Sequence, residues 1–223
     1  MSSTKQIKHA KEIFQATLDS FRRAAKQQLS DKEPYIEAVA AEWQAIIDDG
    51  KMIKELSDID NFESLLGYQR QFKNTTLTAD KVISIDKQRA AEIDLAVHIQ
   101  RNFPGEKIKK LTEVREHKSP DFAVGDEGSS LFEAKFLEKY SKSAVELKLV
   151  EALGQIKDYI EYEPIQNPWG KVHIFTFDRL ESLDKMEVQR HIEQLVQQYS
   201  QGCIFPFEFS LQVYGHDYFN YHT

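Results

Sequence analysis

The chain has 223 residues, 41% of them hydrophobic and 29% charged, enough for one substantial core or one core with a helical appendage. That balance excludes a disordered or fibrous protein. Its net charge of −7 argues against a high-affinity nonspecific coat on nucleic acid, and Cys203, the only cysteine, excludes an intrachain disulfide and a Cys-based zinc site. No apolar run is long enough to cross a bilayer, so a soluble, cytoplasmic protein is expected.

Lys5 to Gln28 reads as a helix, because Ile7, Ala10, Phe14, Leu18, Phe21 and Ala25 recur at helical spacing. A second helix follows Ser30, with Pro34 in its opening turn and Gly50 as its stop. Its buried face is Ile36, Val39, Ala40, Trp43 and Ile47. A shorter helix is expected over Asn61 to Gln71. These helices have apolar faces suited to a protein partner or a homodimer. The polar stretch Lys73-Asn74-Thr75-Thr76 is the best boundary, giving an N-terminal helical region over 1–76 and a second domain over 77–223.

Beyond the boundary the pattern changes class. Asp80 to Phe103 reads as a long helix ended by Pro104-Gly105. Lys107 to Val114 reads as a strand with Ile108 and Leu111 turned inward. Ser119 to Val124 and Ser130 to Phe136 form a hairpin about the turn Gly125 to Gly128. Ser143 to Tyr162 is a helix on the stripe Leu149, Leu153, Ile156 and Ile160. Val172 to Phe177 is apolar on both faces and is expected at the centre of the sheet. Asp184 to Tyr199 is a helix. Phe205, Phe207, Phe209, Leu211 and Val213 alternate with polar residues, and Pro206 among them marks an edge strand. His216, Asp217 and His222 read as part of a polar aromatic tail. The order is that of an α/β (α+β) protein, a mixed sheet with helices against it.

Along the second hairpin strand, Phe132, Ala134 and Phe136 point one way while Leu131, Glu133 and Lys135 point the other. A carboxylate and an ammonium held at a half-buried edge, with Asp121 on the partner strand, suit a divalent cation and a water. Lys107, Lys109, Lys110, Arg115 and Lys118 make the neighbourhood locally basic, which fits phosphate binding.

Pro120-Asp121, a short gap, then Glu133-Ala134-Lys135 resembles the PD-(D/E)XK motif of the restriction-endonuclease-like nucleases, and the inferred order from Asp80 to Phe177 is similar to their αβββαβ core. The resemblance covers roughly the last two-thirds of the chain. It implies a Mg²⁺- or Mn²⁺-dependent hydrolysis of phosphodiester bonds, with nucleic acid as the partner. Asp121 and Glu133 then supply ligands to the cation, the Ala134 carbonyl adds one, and Lys135 orients or deprotonates the attacking water. Glu92 matches the glutamate that the family's preceding helix brings to the metal site. Gln155 and Tyr159, at i and i+4 on one helical face, resemble the Gln-X-X-X-Tyr element of the RecB-type branch and are expected to support the substrate or the ligands. DNA is the favoured substrate. An RNA- or tRNA-cleaving toxin domain of the contact-dependent inhibition type, and a non-catalytic binding module on the same fold, are the alternatives.

Overall fold

The computed structural model describes residues 79–111, 118–176, 184–213 and 217–222, together with positions 7, 8, 11, 12, 15, 18, 19, 22, 41, 44, 45, 47–49, 54 and 58–60. The side chains of 79–87, 89, 90, 93, 213 and 217–222 are outside this description. The chain divides into two compact units, Met1–Gly105 and Glu106–Thr223. The expected third helix (Asn61 to Gln71) and the boundary at Lys73 to Thr76 lie outside the described residues.

In the first unit, Ile7, Leu18, Ala45 and Ile47 are helical, within the spans where the apolar stripes place two helices. Leu18 and Ile47, one from each stripe, are buried. Helix α1 runs over Ala79–Asn102. Ala91, Leu95, Ala96 and Ile99 bury one side of it, and Glu92 is half-buried among them. The helix ends where its pattern predicts. Phe103 still donates its N–H to the Ile99 carbonyl at 2.8 Å, after which Pro104 and Gly105 (φ +86°) break the spiral.

The second unit is built on a six-stranded sheet whose spatial order follows the chain: β1 (Ile108–Lys110), β2 (Phe122–Val124), β3 (Ser130–Leu137), β4 (Trp169–Thr176), β5 (Phe207–Val213) and β6 (Asp217–His222). β1, β2 and β3 pair antiparallel, β3, β4 and β5 parallel, and β5 and β6 antiparallel. Short antiparallel connections and long parallel crossovers are what the loop lengths allow. The β2–β3 turn needs two glycines in the left-handed region, Gly125 (φ +93°) and Gly128 (φ +62°), and the Gly128 N–H closes it on the Gly125 carbonyl at 3.1 Å. The two parallel crossovers carry helices α2 (Lys142–Tyr162) and α3 (Lys185–Ser200). Ser141 caps α2 by accepting the Ala144 N–H at 3.1 Å, and Asp184 caps α3 by accepting the Met186 N–H at 2.9 Å.

One face of the sheet makes the core of this unit. Leu131 and Leu137 from β3, Val172 and Ile174 from β4, and Phe207, Phe209 and Leu211 from β5 meet Val145, Leu149, Ala152 and Ile156 of α2 and Val188, Ile192, Leu195 and Val196 of α3. Each Val, Leu, Ile or Phe among them, taken wholly out of water, contributes roughly 1.5–3 kcal/mol. The opposite face is buried as well, through Phe122, Phe132, Phe175, His173 and Ser210.

Three expectations need correction. β3 is interior, between β2 and β4, so its charged pair lies inside the sheet and not at a half-buried edge. β5 is interior too, because Pro206 lies just before its first residue and therefore removes no ladder donor. The edge on that side is β6: residues 217–222, read from sequence as a tail, pair with β5 from Val213↔Asp217 to Glu208↔His222. β1 is shorter than the expected Lys107 to Val114 strand. Leu111 extends its pairing by one residue, donating its N–H to the Asp121 carbonyl at 2.9 Å, and residues 112–117 lie outside the description.

Candidate active site

Strand register brings the predicted residues together. Phe122 faces Phe132 and Ala123 faces Leu131, so the next antiparallel step sets Asp121 across from Glu133. Alternation puts Asp121, Ala123, Leu131, Glu133, Lys135 and Leu137 toward the face that α2 covers, and the membership of Ala123, Leu131 and Leu137 in that core agrees. Asp121 stands in the bend that opens β2. Gln155 reaches the same place from the middle of α2.

The polar contacts form one group. Asp121 Oδ2 accepts the Ala134 N–H at 2.8 Å, and Asp121 Oδ1 accepts from the Lys110 ammonium at 2.8 Å. Glu133 Oε1 accepts from the Lys135 ammonium at 2.5 Å, and the same ammonium donates to Gln155 Oε1. Glu133 is only 2% exposed and Asp121 8%. Two carboxylates and two ammoniums are thus held in a dry place where their charges sum to zero when all four are ionised. Their mutual attraction offsets part of the cost of leaving water.

One atom lacks this compensation. Glu133 Oε2 is buried with no hydrogen-bond partner among the described residues. Burial pushes the Glu133 carboxyl well above the ordinary carboxylate range, and the neighbouring Asp121 charge pushes it further. The Lys135 charge and hydrogen bond and the Lys110 charge pull the other way. A buried carboxylate oxygen aimed at no donor is a place for a cation or a water. Glu133 Oε2 is therefore open to such a group, whereas both Asp121 oxygens already accept from protein donors.

The remaining predicted residues divide. Ala134 contributes its N–H, as the clamp on Asp121, while its methyl group is buried on the opposite face of the sheet. Tyr159, one turn beyond Gln155, is half-buried and packs against the apolar core. Burial, then the Glu163 charge, raises its phenol above the ordinary value. Glu92 belongs to the first compact unit. His216 lies outside the described residues. Among the described residues no three His, Cys, Asp or Glu side chains gather as a metal-binding cluster.

Lys110 is the member that sequence reasoning missed. It read as one of a basic surface run, yet it is 8% exposed. Its ammonium stands 5.1 Å from the centre of the Phe122 ring as well as on Asp121. The signal was its position, two residues after the buried Ile108 on a strand, which places it at an inward step of the alternation.

No protein-family model, curated protein or solved structure matches this chain.

Proposed function

We propose that the protein is a metal-dependent nuclease of the PD-(D/E)XK type, hydrolysing phosphodiester bonds, with DNA the favoured substrate. The observation that carries this reading is the meeting of Asp121, Glu133 and Lys135 on neighbouring strands, with the Oε2 of Glu133 buried and unpartnered. The succession α1, β1, β2, β3, α2, β4 supports it as the αβββαβ order of that family.

Asp121 and Glu133 would hold the Mg²⁺ or Mn²⁺, with the Ala134 carbonyl assigned to it by resemblance alone. The bound ion supplies positive charge that stabilises the phosphoryl oxygens and lowers the pKa of water. Lys135, an ammonium fixed between Glu133 and Gln155, orients the attacking water and donates to the developing phosphoryl anion, while the water's proton passes to solvent. The water oxygen bonds to phosphorus, one ester P–O bond breaks, and the leaving oxygen ends protonated. Gln155 acts through Lys135, which it holds in place.

Incubation with plasmid DNA and with total tRNA, each with Mg²⁺ or Mn²⁺, tests both the reaction and the substrate. Cleavage that disappears in Asp121→Ala, Glu133→Ala and Lys135→Ala supports the reading, and variants that cut at the wild-type rate overturn it. Cleavage of tRNA alone favours the toxin-type alternative. The binding-module alternative draws support from the two lysines, which already partner both acids. It expects no turnover with any metal.

A further inference from the structure

The two ammoniums buried beside the acids are both engaged by them, Lys110 with Asp121 and Lys135 with Glu133. A nucleic-acid strand carries a negative charge on every nucleotide, so the phosphates beside the scissile one need cations from outside this buried group. β1, an edge strand of the sheet, supplies one. Its three residues alternate, with Ile108 and Lys110 buried and Lys109 exposed between them.

Strand register says which face Lys109 occupies. Lys109 pairs with Ala123, and side chains directly opposed in an antiparallel pair share one face of the sheet. Ala123 belongs to the core that α2 and α3 make on that face, to which alternation also assigns Asp121 and Glu133. The pairing reaches Asp121, whose carbonyl accepts the Leu111 N–H at 2.9 Å. Asp121 lies two residues before Ala123, so Lys109 and Asp121 are diagonal neighbours across β1 and β2, roughly 7–8 Å apart. A lysine stem spans enough of that gap to meet the phosphate next to one held at the acids. An edge strand also gains from a lysine that discourages pairing with another chain, but that task is indifferent to which face the lysine takes.

We propose, on the footing of the nuclease reading above, that Lys109 is a substrate-binding residue whose ammonium contacts the phosphodiester backbone beside the bond to be cut. The nucleic-acid strand then runs along the β1 edge as it passes Asp121. A lysine meets a phosphate as a point charge, so the contact adds affinity and orientation but no sequence preference.

Fluorescence anisotropy of a labelled DNA duplex and of labelled tRNA tests this, with the full chain in chelator over a series of salt concentrations. KM measured with Mg²⁺ over the same series reads the contact while the enzyme is cutting. The variants are Lys109→Gln, Lys109→Arg and, as a control on net charge, Lys157→Gln at an exposed position of α2. On whichever nucleic acid wild type binds, Lys109→Gln should reduce the salt slope of the logarithm of affinity by about 1, equally for two unrelated sequences. Lys109→Arg and Lys157→Gln should keep the wild-type slope. If Lys109→Gln keeps the wild-type slope and KM, or Lys157→Gln reduces the slope as much, this proposal alone falls, and cleavage by wild type leaves the nuclease reading standing. Wild type that neither binds nor cuts nucleic acid removes the nuclease reading and this proposal with it.

Discussion

The side chain of Asp121 and the backbone of Ala134 are joined across the β2–β3 pair by a 2.8 Å hydrogen bond, which fixes the carboxylate from the strand that carries Glu133 and Lys135. Two roles therefore fall on Asp121, and two substitutions separate them. Asp121→Ala removes the acceptor for Ala134 and leaves the buried Lys110 charge without that carboxylate, a loss of about 3 kcal/mol. Asp121→Asn equally strips the Lys110 ammonium of its carboxylate but keeps an oxygen for the Ala134 N–H, so it should be the more stable of the two by about 1 kcal/mol. Both should abolish cleavage. Urea denaturation in the presence of a chelator measures the difference, and an Asp121→Ala protein as stable as wild type would show that the contact carries no weight.

Gln155 offers a test that leaves the carboxylates alone. Its side-chain oxygen is the second acceptor of the Lys135 ammonium, so Gln155→Ala frees Lys135 to turn about Glu133. Misplacing that ammonium should cost about tenfold in kcat, which corresponds to roughly 1.4 kcal/mol of barrier, with KM and Mn²⁺ affinity unchanged. Steady-state kinetics on a DNA substrate makes the split visible. A change confined to KM would place Gln155 on the substrate and not on the lysine.

Much of this arrangement was legible because it follows local rules. The α1 and α2 stripes, the glycine turn and the alternation of β3 each come from side-chain period or backbone freedom, and together they set Asp121, Glu133 and Lys135 on one face. What escaped was decided by pairing. Whether Pro206 marks an edge depends on whether it falls inside the ladder, and it lies one residue outside. Asp217 to His222 is too polar to declare a core strand, but an edge strand needs only a partner, which β5 supplies. Lys110 escaped for a related reason: a lysine reads as solvated until a buried carboxylate on the next strand is known to face it.

Glu133 makes the stability of the cation-free protein depend on pH with a definite sign. Its folded-state pKa is raised well above 4.5 by burial and then by Asp121, so the native state holds its proton more tightly than the unfolded chain does. A raised pKa contributes stability that is fully present below the unfolded value and is lost as pH rises through the folded one. Thermal midpoints recorded in chelator should therefore fall over the window from 4.5 upward to the raised value, and Glu133→Gln should remove that component. Added Mn²⁺ should reverse the trend, because a cation favours the ionised carboxylate. A wild-type profile that matches Glu133→Gln throughout the window would deny Glu133 this role.

Gly170 tests the packing that holds β4 beneath α2. A Cβ built there would lie 2.7 Å from one ring carbon of Phe205 and 3.4 Å from the Ile156 terminal methyl. Phe205 is 3% exposed and Ile156 is fully buried, so neither can swing into solvent to make room. The strand cannot retreat either, since Gly170 donates its N–H to the Pro206 carbonyl at 3.0 Å and pairs with Leu131 on its other side. Gly170→Ala should accordingly destabilise the protein by about 1–3 kcal/mol through overpacking, with the denaturant m-value unchanged because the fold is kept. Combining it with Phe205→Leu, which removes the ring edge that the new methyl meets, should recover part of the loss. Strict additivity of the two changes would show that the contact between them is not the cause.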